Sequence, residues 1–327
     1  MLNVLSSSQV LAVLQQKKYP AQATYLAMYS TWLGGVTTDP SLMIVPIDDH
    51  IVHRGDGVFE AIKCVNGKIY LLQPHLDRLE ISAEKIGLQL PHSKEEIKKI
   101  IFQMSLIVKK PNLMYRLYIS RGPGGFTANP YESLAAQMYL VLTEYKPLPA
   151  EKFATGVKVG RSSVPVKEPW LARTKTCNYL PNVLMKKESV DAGVDFTVAF
   201  DKEGYLAESS TENMVIVDSK RRLLRPRLLQ ILKGTTMMRT LDLAQTLLHD
   251  GIITSIDESD ITESDIKTAH EVMMIGTTLD ILPVVEYEGQ KVGSAGAAGL
   301  AGPVAQQLLA MLRKDQQAGP FVDSVEL

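Results

Sequence analysis

The stretch Ala172-Arg-Thr-Lys-Thr-Cys-Asn-Tyr-Leu-Pro-Asn-Val-Leu184 decides how this sequence is interpreted, and Lys175 is its centre. A helix is predicted to begin shortly after Lys175, because Asn178 can act as an N-cap and Pro181 suits a first helical turn. Gly193 lies where this helix is expected to end, since glycine readily takes the backbone conformation found just beyond a helix. The sequence therefore predicts that Lys175 lies immediately before a helix.

Three apolar runs follow this helix and carry Glu208. Their lengths, and the Lys202-Glu-Gly204 turn between the first two, predict a small meander of strands over residues 196–200, 205–207 and 214–217. Glu208 is expected at the end of the second strand, beside a cluster of serine and threonine residues.

A lysine and a carboxylate in these positions are the residue types expected at the two ends of a pyridoxal phosphate site. The lysine amine forms a Schiff base with the cofactor, and the acidic residue holds the pyridine nitrogen protonated so that the ring accepts electrons. Neither residue is informative by itself, because most lysines and glutamates are simply solvated. Only the combination of Lys175 and Glu208 with the motifs around them indicates this chemistry.

The joint pattern resembles the class IV aminotransferases, the fold-type IV pyridoxal phosphate enzymes that include branched-chain aminotransferase, D-amino-acid aminotransferase and aminodeoxychorismate lyase. In chain order, the matching motifs are Arg54-Gly-Asp-Gly-Val-Phe-Glu60, Pro74-His-Leu-Asp-Arg78-Leu, Lys175-Thr-Cys-Asn178, Ala207-Glu208-Ser-Ser-Thr-Glu-Asn213, Leu232-Lys-Gly234-Thr-Thr and Ile275-Gly-Thr-Thr278. Because the motifs occur in the family's order over most of the chain, together they carry far more information than any one of them.

The resemblance implies that Lys175 is the catalytic lysine and that it binds pyridoxal 5'-phosphate. It also implies which other residues hold the cofactor: Arg78, Tyr179, Glu208, Ser210, Gly234, Thr235, Thr236 and Thr277. General chemistry supports the phosphate residues, since an arginine fork suits a phosphate dianion and a glycine with hydroxyl residues at a helix start forms an anion site. No metal ion is expected, because the histidines form no recognisable cluster.

The resemblance assigns four residues to the substrate side: Arg54, Phe59, Arg121 and Thr278. A transaminase must hold the substrate α-carboxylate, and it can use either an arginine fork or backbone N–H and hydroxyl groups. Arg54 stands where the branched-chain branch has a tyrosine, while Phe59 and Pro123 stand where the D-amino-acid branch has tyrosine and histidine. The sequence therefore leaves both branches open, with Arg54 or Arg121 as the arginine that meets the carboxylate.

Composition excludes several classes of partner. The formal net charge is −1, from 35 basic and 36 acidic residues, so no overall field favours nucleic acid or an anionic membrane. Cys64 and Cys177 are the only cysteines, which fits a reducing cytoplasm, and no secretory or membrane-spanning segment is recognisable. The expected partners are small amino acids and 2-oxo acids, together with a second copy of the chain, because relatives in the family are homodimers.

The pattern of elements predicts an α/β (α+β) protein with the two-domain architecture of fold type IV. Residues 1–146 are expected to form a small N-terminal α+β domain with a helical extension, and residues 154–327 a larger cofactor-binding domain with a mixed, barrel-like sheet. Residues 147–153 are predicted to be a linker, because Pro147 and Pro149 occur there among charged residues. The cofactor is expected between the two domains.

Periodicity and turn signals predict the individual elements. Helices are expected over residues 6–18, 76–86, 95–108 and 303–314, and after Gly234. Strands are expected over residues 113–121, 136–142 and 271–275, and Asn66-Gly67 signals a hairpin.

The expected reaction is a ping-pong transamination, in which Lys175 also moves a proton between the substrate Cα and the cofactor C4′. Two alternatives stay open: a pyridoxal phosphate-dependent lyase of the aminodeoxychorismate type, and a non-catalytic homologue that acts as a binding protein. Glu60 argues against the lyase, because those lyases carry a threonine at this position.

Overall fold

The computed structural model describes residues 1–293 and 301–326 of the chain. It divides into two units, the first formed by Met1–Lys146 with Asp323–Leu327 and the second by Pro147–Val322. The Gly/Ala-rich segment over residues 294–300 lies outside the described residues.

The first unit is built on a sheet that contains β1 (Tyr25–Ser30), β2 (Gly35–Thr37), β3 (Gly57–Val65), β4 (Lys68–Tyr70), β5 (Leu113–Ser120), β6 (Gln137–Glu144) and the C-terminal β16 (Val322–Ser324). Its helices are α1 (Ser7–Gln16), α2 (His50–His53), α3 (Leu72–Lys85) and α4 (Lys94–Val108). The strand order among the described residues is β16, β4, β3, β5, β6, β1, β2, and the pairings from β4 to β2 are antiparallel.

The Asn66-Gly67 pair forms the predicted hairpin between β3 and β4. Both residues have positive φ angles, 53° and 73°, and two-residue turns that match the twist of the strands require this conformation. The strands pair directly on either side of the turn, so the prediction is confirmed. The register of β3 follows, and it places Phe59 and Glu60 on opposite faces of the sheet.

Helices α3 and α4 pack on the apolar face of this sheet. Fully buried side chains from these helices and from β3 include Leu76, Leu79, Ile101, Val58 and Ile62. Helix α4 begins with a capping box, in which the Ser93 side chain accepts a backbone N–H while the Glu96 side chain accepts the N–H of Ser93. Local capping and the apolar stripe therefore agree, and both helices form where the sequence predicts them.

The second unit contains β7 (Val157–Arg161), β8 (Phe196–Phe200), β9 (Leu206–Ser209), β10 (Asn213–Val217), β11 (Arg222–Pro226), β12 (Ser255–Ser259), β13 (Glu271–Gly276), β14 (Asp280–Tyr287) and β15 (Gln290–Lys291). Its helices are α5 (Ala150–Thr155), α6 (Pro169–Ala172), α7 (Leu180–Asp191), α8 (Thr235–His249), α9 (Glu263–Thr268) and α10 (Pro303–Ala318). In the described residues these strands form one sheet in the order β12, β11, β10, β13, β14, β7, β8, β9, with β15 paired to β14.

This sheet is mixed, as predicted. β7 pairs parallel with both β8 and β14, whereas β10 pairs antiparallel with both β11 and β13. Because β10 runs opposite to its two neighbours, it begins at the end of the sheet where β11 and β13 finish. The loops after β11 and β13 and the start of β10 therefore meet at one end of the sheet.

The predicted meander is wrong in its third strand. β8 and β9 form the expected antiparallel hairpin, but β10 pairs with β11 and β13 instead of with β9. Every residue of β10 is buried, and a strand buried on both faces is stabilised best at a central position of a sheet.

One further expectation about local structure is wrong. Tyr179, not Asn178, is the N-cap of α7, because the chain turns between Cys177 and Tyr179 and the helix begins one residue later. Pro181 lies in the first helical turn, as predicted. Residues 147–153 stay the predicted linker, and within them α5 begins at Ala150 with Pro149 as its N-cap.

No helix within residues 1–293 and 301–326 combines the length and the hydropathy needed to cross a lipid bilayer.

We predict that Leu76→Ala lowers the free energy of unfolding by about 2–5 kcal/mol, because it removes a fully buried side chain between α3 and the sheet. Ile81→Ala, at a position of the same helix that is 51% exposed, is the control and should cost about 0.5 kcal/mol or less. Urea unfolding followed by circular dichroism measures both values. Equal losses for the two variants would contradict the assignment of α3 to the core.

Candidate active site

Lys175 lies in the loop between α6 and α7, and its side chain is half-buried. Thr174 and Thr176 on either side of it are buried, and Thr174 Oγ1 donates a hydrogen bond of 2.7 Å to the carbonyl of Trp170. Lys175 Nζ lies 5.8 Å from the centroid of the Tyr179 ring, within the range of cation–π attraction. The amine is therefore carried by a well-anchored stretch of backbone beside an aromatic ring.

Glu208 lies in β9, and its side chain is only 14% exposed. Its Oε2 accepts a 2.8 Å hydrogen bond from the backbone N–H of Leu232, and its Oε1 lies 3.8 Å from Nζ of Lys167. Two separate segments of the unit therefore hold this carboxylate. An ionised carboxylate accepts hydrogen bonds only, so Glu208 is suited to face a protonated ring nitrogen.

Lys167 is a site residue that the sequence analysis missed. Its Nζ donates a hydrogen bond of 3.2 Å to Oδ1 of Asn182 and lies 5.6 Å from the Tyr179 ring centroid. The Tyr179 ring is therefore in contact with Lys175 and Lys167 alike. No local pattern in the sequence indicates this, because the contacts form only when the loop before α6 folds back onto α7 and β9.

The start of α8 has the features of an anion-binding site. Gly234 is the N-cap, and the first N–H groups of a helix point out of its start, beyond the reach of its own carbonyls. Thr235 and Thr236 are buried in the first turn. Thr236 Oγ1 lies 3.4 Å from Oγ1 of Thr277, in the turn between β13 and β14. Backbone N–H groups and hydroxyls from two loops therefore converge.

Glycine at position 234 is required by a close approach of two segments. A Cβ atom on Gly234 would lie 2.0 Å from Oδ1 of Asn213, which no side chain tolerates. Asn213 also donates a 3.1 Å hydrogen bond from Nδ2 to the carbonyl of Leu232, the residue whose N–H binds Glu208. The loop that leads into α8 is therefore held at Leu232, through both the backbone N–H and the backbone carbonyl of that residue.

The two remaining assignments in this unit are less closely tied to the cluster. Ser210 is buried, and its backbone carbonyl accepts a hydrogen bond from Nδ2 of Asn182. Thr278 is exposed in the turn that also carries Thr277. Roles for their hydroxyl groups stay predictions.

These groups fit pyridoxal 5'-phosphate. The cofactor has an aldehyde that reacts with an amine, a basic ring nitrogen and a phosphate dianion. Lys175, Glu208 and the start of α8 provide one matching partner for each. Gly234 has no side chain at the helix start, so the backbone N–H groups there can come close to a phosphate.

In the first unit, Arg78 is paired with a buried carboxylate. Glu60 has no exposed surface, and Arg78 donates to it from Nε at 2.8 Å and from Nη2 at 2.7 Å. His75 Nδ1 lies 2.7 Å from the same carboxylate. Burial by itself raises the pKa of Glu60, but Arg78 and His75 outweigh it and lower that pKa to about 2. Glu60 is therefore ionised and fixes the plane of the Arg78 guanidinium, which is 13% exposed.

Arg121 is engaged within the first unit. Its Nε and Nη2 donate to the Asp56 carboxylate, both at 2.9 Å, and its Nη1 and Nη2 donate to the carbonyls of Gly87 and Ile86. Burial raises the pKa of Asp56, but the hydrogen bonds and charges of Arg121 and His50 together outweigh it, and the net shift of that pKa is downward. These contacts let Arg121 tie β5 to the end of α3, and its contact with substrate stays a prediction.

The other two substrate assignments lie near the start of β3. Arg54 is exposed, and its guanidinium donates to the carbonyls of His53 and Phe126. The Phe59 ring stacks on Tyr118 of β5 at a centroid distance of 5.9 Å. The face of the sheet that carries Phe59 and Tyr118 is the one opposite α3 and α4.

A pocket of about 330 Å³ lies on this face of the first unit. It is lined by Tyr25, Met28, Met43, Val45, Ile51, Arg116, Tyr118, Tyr139, Val141 and Thr143. Arg116 is the cation of this lining, and no described residue forms an ion pair or hydrogen bond with its guanidinium. The sequence analysis missed Arg116, because strand alternation shows which face it occupies but not which arginines in the unit are already paired.

Comparisons with known proteins show which family the chain is similar to. The family model described as amino-transferase class IV matches residues 57–287. The chloroplastic D-amino-acid transaminase of Arabidopsis thaliana is 38% identical over 300 residues, which cover 90% of this chain and 78% of that protein. The putative branched-chain-amino-acid aminotransferase of Methanocaldococcus jannaschii is 31% identical over 265 residues, 80% of this chain and 89% of that protein.

Solved structures show the fold. The branched-chain amino acid aminotransferase of Escherichia coli superposes with a TM-score of 0.83 at 23% identity, over 92% of this chain and 100% of that one. A second branched-chain amino acid aminotransferase, solved with pyridoxamine 5'-phosphate, superposes with a TM-score of 0.84, also at 23% identity. That match covers 92% of this chain and 99% of the other. The predicted mixed α/β fold of type IV is therefore confirmed.

We predict that Glu60→Gln lowers the free energy of unfolding at neutral pH by about 3 kcal/mol or more, because it leaves the Arg78 guanidinium without its buried counter-charge. The pKa of Glu60 is lowered in the folded protein, so the stability from its ionised form is present above the unfolded pKa of about 4.3. That stability is lost as the pH falls toward about 2. The difference between the wild type and the variant should therefore shrink in acid.

Urea unfolding at pH 7 and at about pH 3 tests this linkage. Glu84→Gln, at an exposed position of α3, is the control and should differ little from the wild type at either pH. A Glu60→Gln penalty that is the same at both values would contradict the lowered pKa.

Proposed function

The chain belongs to the class IV aminotransferases, and from that membership we propose that it moves an amino group between an amino acid and a 2-oxo acid through pyridoxal 5'-phosphate. The observation that carries the proposal is the cluster in the second unit. Lys175 shares the Tyr179 ring with Lys167, Lys167 lies beside Glu208, and Glu208 binds the loop that begins α8. One unit thus holds an amine, a carboxylate and an anion site.

Lys175 is proposed to act at two points. Its amine would hold the cofactor aldehyde covalently, and as a free amine it would move a proton between the substrate Cα and the cofactor C4′. When bound, the cofactor supplies the electron sink for the charge that develops at Cα. The buried threonines on either side of Lys175 support this role, because they limit the positions that the amine can reach.

Glu208 and Tyr179 are proposed to face the ring of the cofactor. The Glu208 carboxylate would accept a hydrogen bond from the protonated ring nitrogen, and the hydrogen bond from the Leu232 N–H fixes the direction of the carboxylate. Tyr179 is proposed to meet the ring hydroxyl, since it lies at the start of α7 and its ring is in contact with Lys175. Both groups act by holding the cofactor in one orientation.

The phosphate is proposed to bind Gly234, Thr235, Thr236 and Thr277. The N–H groups at the start of α8 and the paired hydroxyls of Thr236 and Thr277 support this assignment. Arg78 is proposed as the charged partner of the phosphate. Its pairing with Glu60 supports this, because a guanidinium held in one plane by a buried carboxylate loses little freedom when it binds an oxyanion.

The substrate carboxylate is proposed to meet Arg116. The pocket around Arg116 is lined by tyrosine, methionine and valine side chains, which suits the apolar part of an amino acid. Arg121 already donates to Asp56 and two carbonyls, so it offers little to a ligand. The relative that is 38% identical to this chain over 300 residues is named a D-amino-acid transaminase, which favours D-amino acids as donors.

Three expectations complete the proposal. By the resemblance the enzyme is a homodimer, and its domains are residues 1–146 and 154–327 joined by a linker. Cys64 and Cys177 form no disulfide in the structure, which supports a reducing compartment such as the cytoplasm.

We predict that Lys175→Ala binds pyridoxal 5'-phosphate without forming a covalent adduct and loses turnover by about a hundredfold or more. Borohydride reduction followed by peptide mass spectrometry should locate the adduct at Lys175 in the wild type. Lys187→Ala, at an exposed position of α7, is the control and should keep both adduct and turnover. A reducible adduct in Lys175→Ala would overturn the assignment, and product release without a 2-oxo acid acceptor would favour the lyase.

We predict that Arg116→Ala raises KM for amino-acid donors by about tenfold or more, because a charge-assisted contact to the carboxylate is lost. Conversion of the cofactor to its amine form should be measured with D- and L-amino acids and with a simple amine. The amine lacks the carboxylate, so its slow reaction should be the same in both proteins. A rise in KM for Arg54→Ala but not for Arg116→Ala would move the carboxylate contact to Arg54.

A further inference from the structure

We propose that Lys167 is a positioning residue that holds the Glu208 carboxylate ionised and directed toward the cofactor ring nitrogen. The proposal rests on the proposed function, in which Glu208 partners that nitrogen. Lys167 has no role in the resemblance from which the other site residues were assigned, and its place follows from contacts in the second unit alone.

The two oxygens of the Glu208 carboxylate have different neighbours. Oε2 accepts the N–H of Leu232 at 2.8 Å, while Oε1 faces the Lys167 ammonium at 3.8 Å. The backbone hydrogen bond fixes one oxygen by direction. The ammonium fixes the other by charge, since 3.8 Å is an ion-pair distance and is too long for a strong hydrogen bond. Together they restrict rotation of the carboxylate.

Lys167 is itself held in place on its other sides. Its Nζ donates to Oδ1 of Asn182 at 3.2 Å and lies 5.6 Å from the Tyr179 ring centroid. Asn182 is buried on α7, and its Nδ2 donates to the carbonyl of Ser210, two residues after Glu208. A flexible lysine with these contacts loses most of its freedom, so its charge stays at one point beside Glu208.

Because Lys167 and Glu208 are both largely buried, the charge of Lys167 acts strongly on the Glu208 carboxylate. The side chains of Lys167 and Glu208 are 15% and 14% exposed. The cavity that both residues line measures about 20 Å³, room for about one water molecule, so little water lies beside the pair to screen it. A carboxylate removed from water is costly to keep ionised without a nearby cation. Lys167 supplies that cation, and it does so without occupying the oxygen bound by Leu232.

The competing explanation is that Lys167 only supports the fold through Asn182 and Tyr179. A structural role would weaken every cofactor equally, since it would act on the shape of the site. A role through Glu208 would matter only for a cofactor that has a ring nitrogen. An analogue of pyridoxal 5'-phosphate with C–H in place of the ring nitrogen separates the two explanations.

The experiment measures dissociation constants of the natural cofactor and of this analogue in the wild type, Lys167→Met, Glu208→Gln and the double variant. The wild type should prefer the natural cofactor by about tenfold or more, and Lys167→Met should lose most of this preference. The double variant should lose no more than Glu208→Gln does, because Lys167 acts through Glu208. Lys167→Arg should restore the preference.

Two controls separate the outcomes. Lys187→Met makes the same chemical change at an exposed position of α7 and should behave as the wild type. Thermal unfolding of the cofactor-free proteins reports any general loss of structure. If Lys167→Met weakened the binding of both cofactors equally, the role of Lys167 would be overturned. The same would follow if the double variant lost more of the preference than Glu208→Gln does. An unchanged preference in Glu208→Gln would instead overturn the proposed role of Glu208 itself.

Discussion

One hydrogen bond, from the backbone N–H of Leu232 to the Glu208 carboxylate, joins the two parts of the site in the second unit, which are the carboxylate itself and the start of α8. It links the end of β9 to the loop that begins α8. The carbonyl of Leu232 is held by Asn213, and Gly234 packs directly on the Asn213 side chain. The spacing between the carboxylate and the anion site is therefore set by backbone contacts. Groups positioned in this way need little reorganisation when a rigid cofactor binds.

Compensation of buried charge is the second constraint, and it applies in both units. Glu60 has no exposed surface and is matched by Arg78 and His75, while Glu208 is slightly exposed and faces Lys167. In each case the partner does more than remove an electrostatic penalty, because it also fixes the direction of a polar group. A buried ion pair thus fixes the direction of the residue that is proposed to meet the ligand.

The same reasoning distinguishes the arginines of the first unit by the partners of their guanidinium groups. Arg121 donates two hydrogen bonds to the Asp56 carboxylate and also donates to two backbone carbonyls. Arg116 lies in a pocket lined by aromatic and aliphatic side chains. An arginine is informative about ligands only when its own partners are known, since a guanidinium with satisfied donors has little to gain from a further anion.

The sequence by itself determined the ordered motifs, the local elements and the chemical type of the site. Asn66-Gly67 makes its hairpin and α8 starts after Gly234, because turn and cap preferences act over a few neighbouring residues. Tertiary structure decided what depends on distant partners. β10 lies between β11 and β13 because a strand buried on both faces needs two neighbours. Lys167 reaches Glu208, and Arg121 reaches Asp56, only through pairings between segments far apart in the chain, which local sequence patterns do not encode.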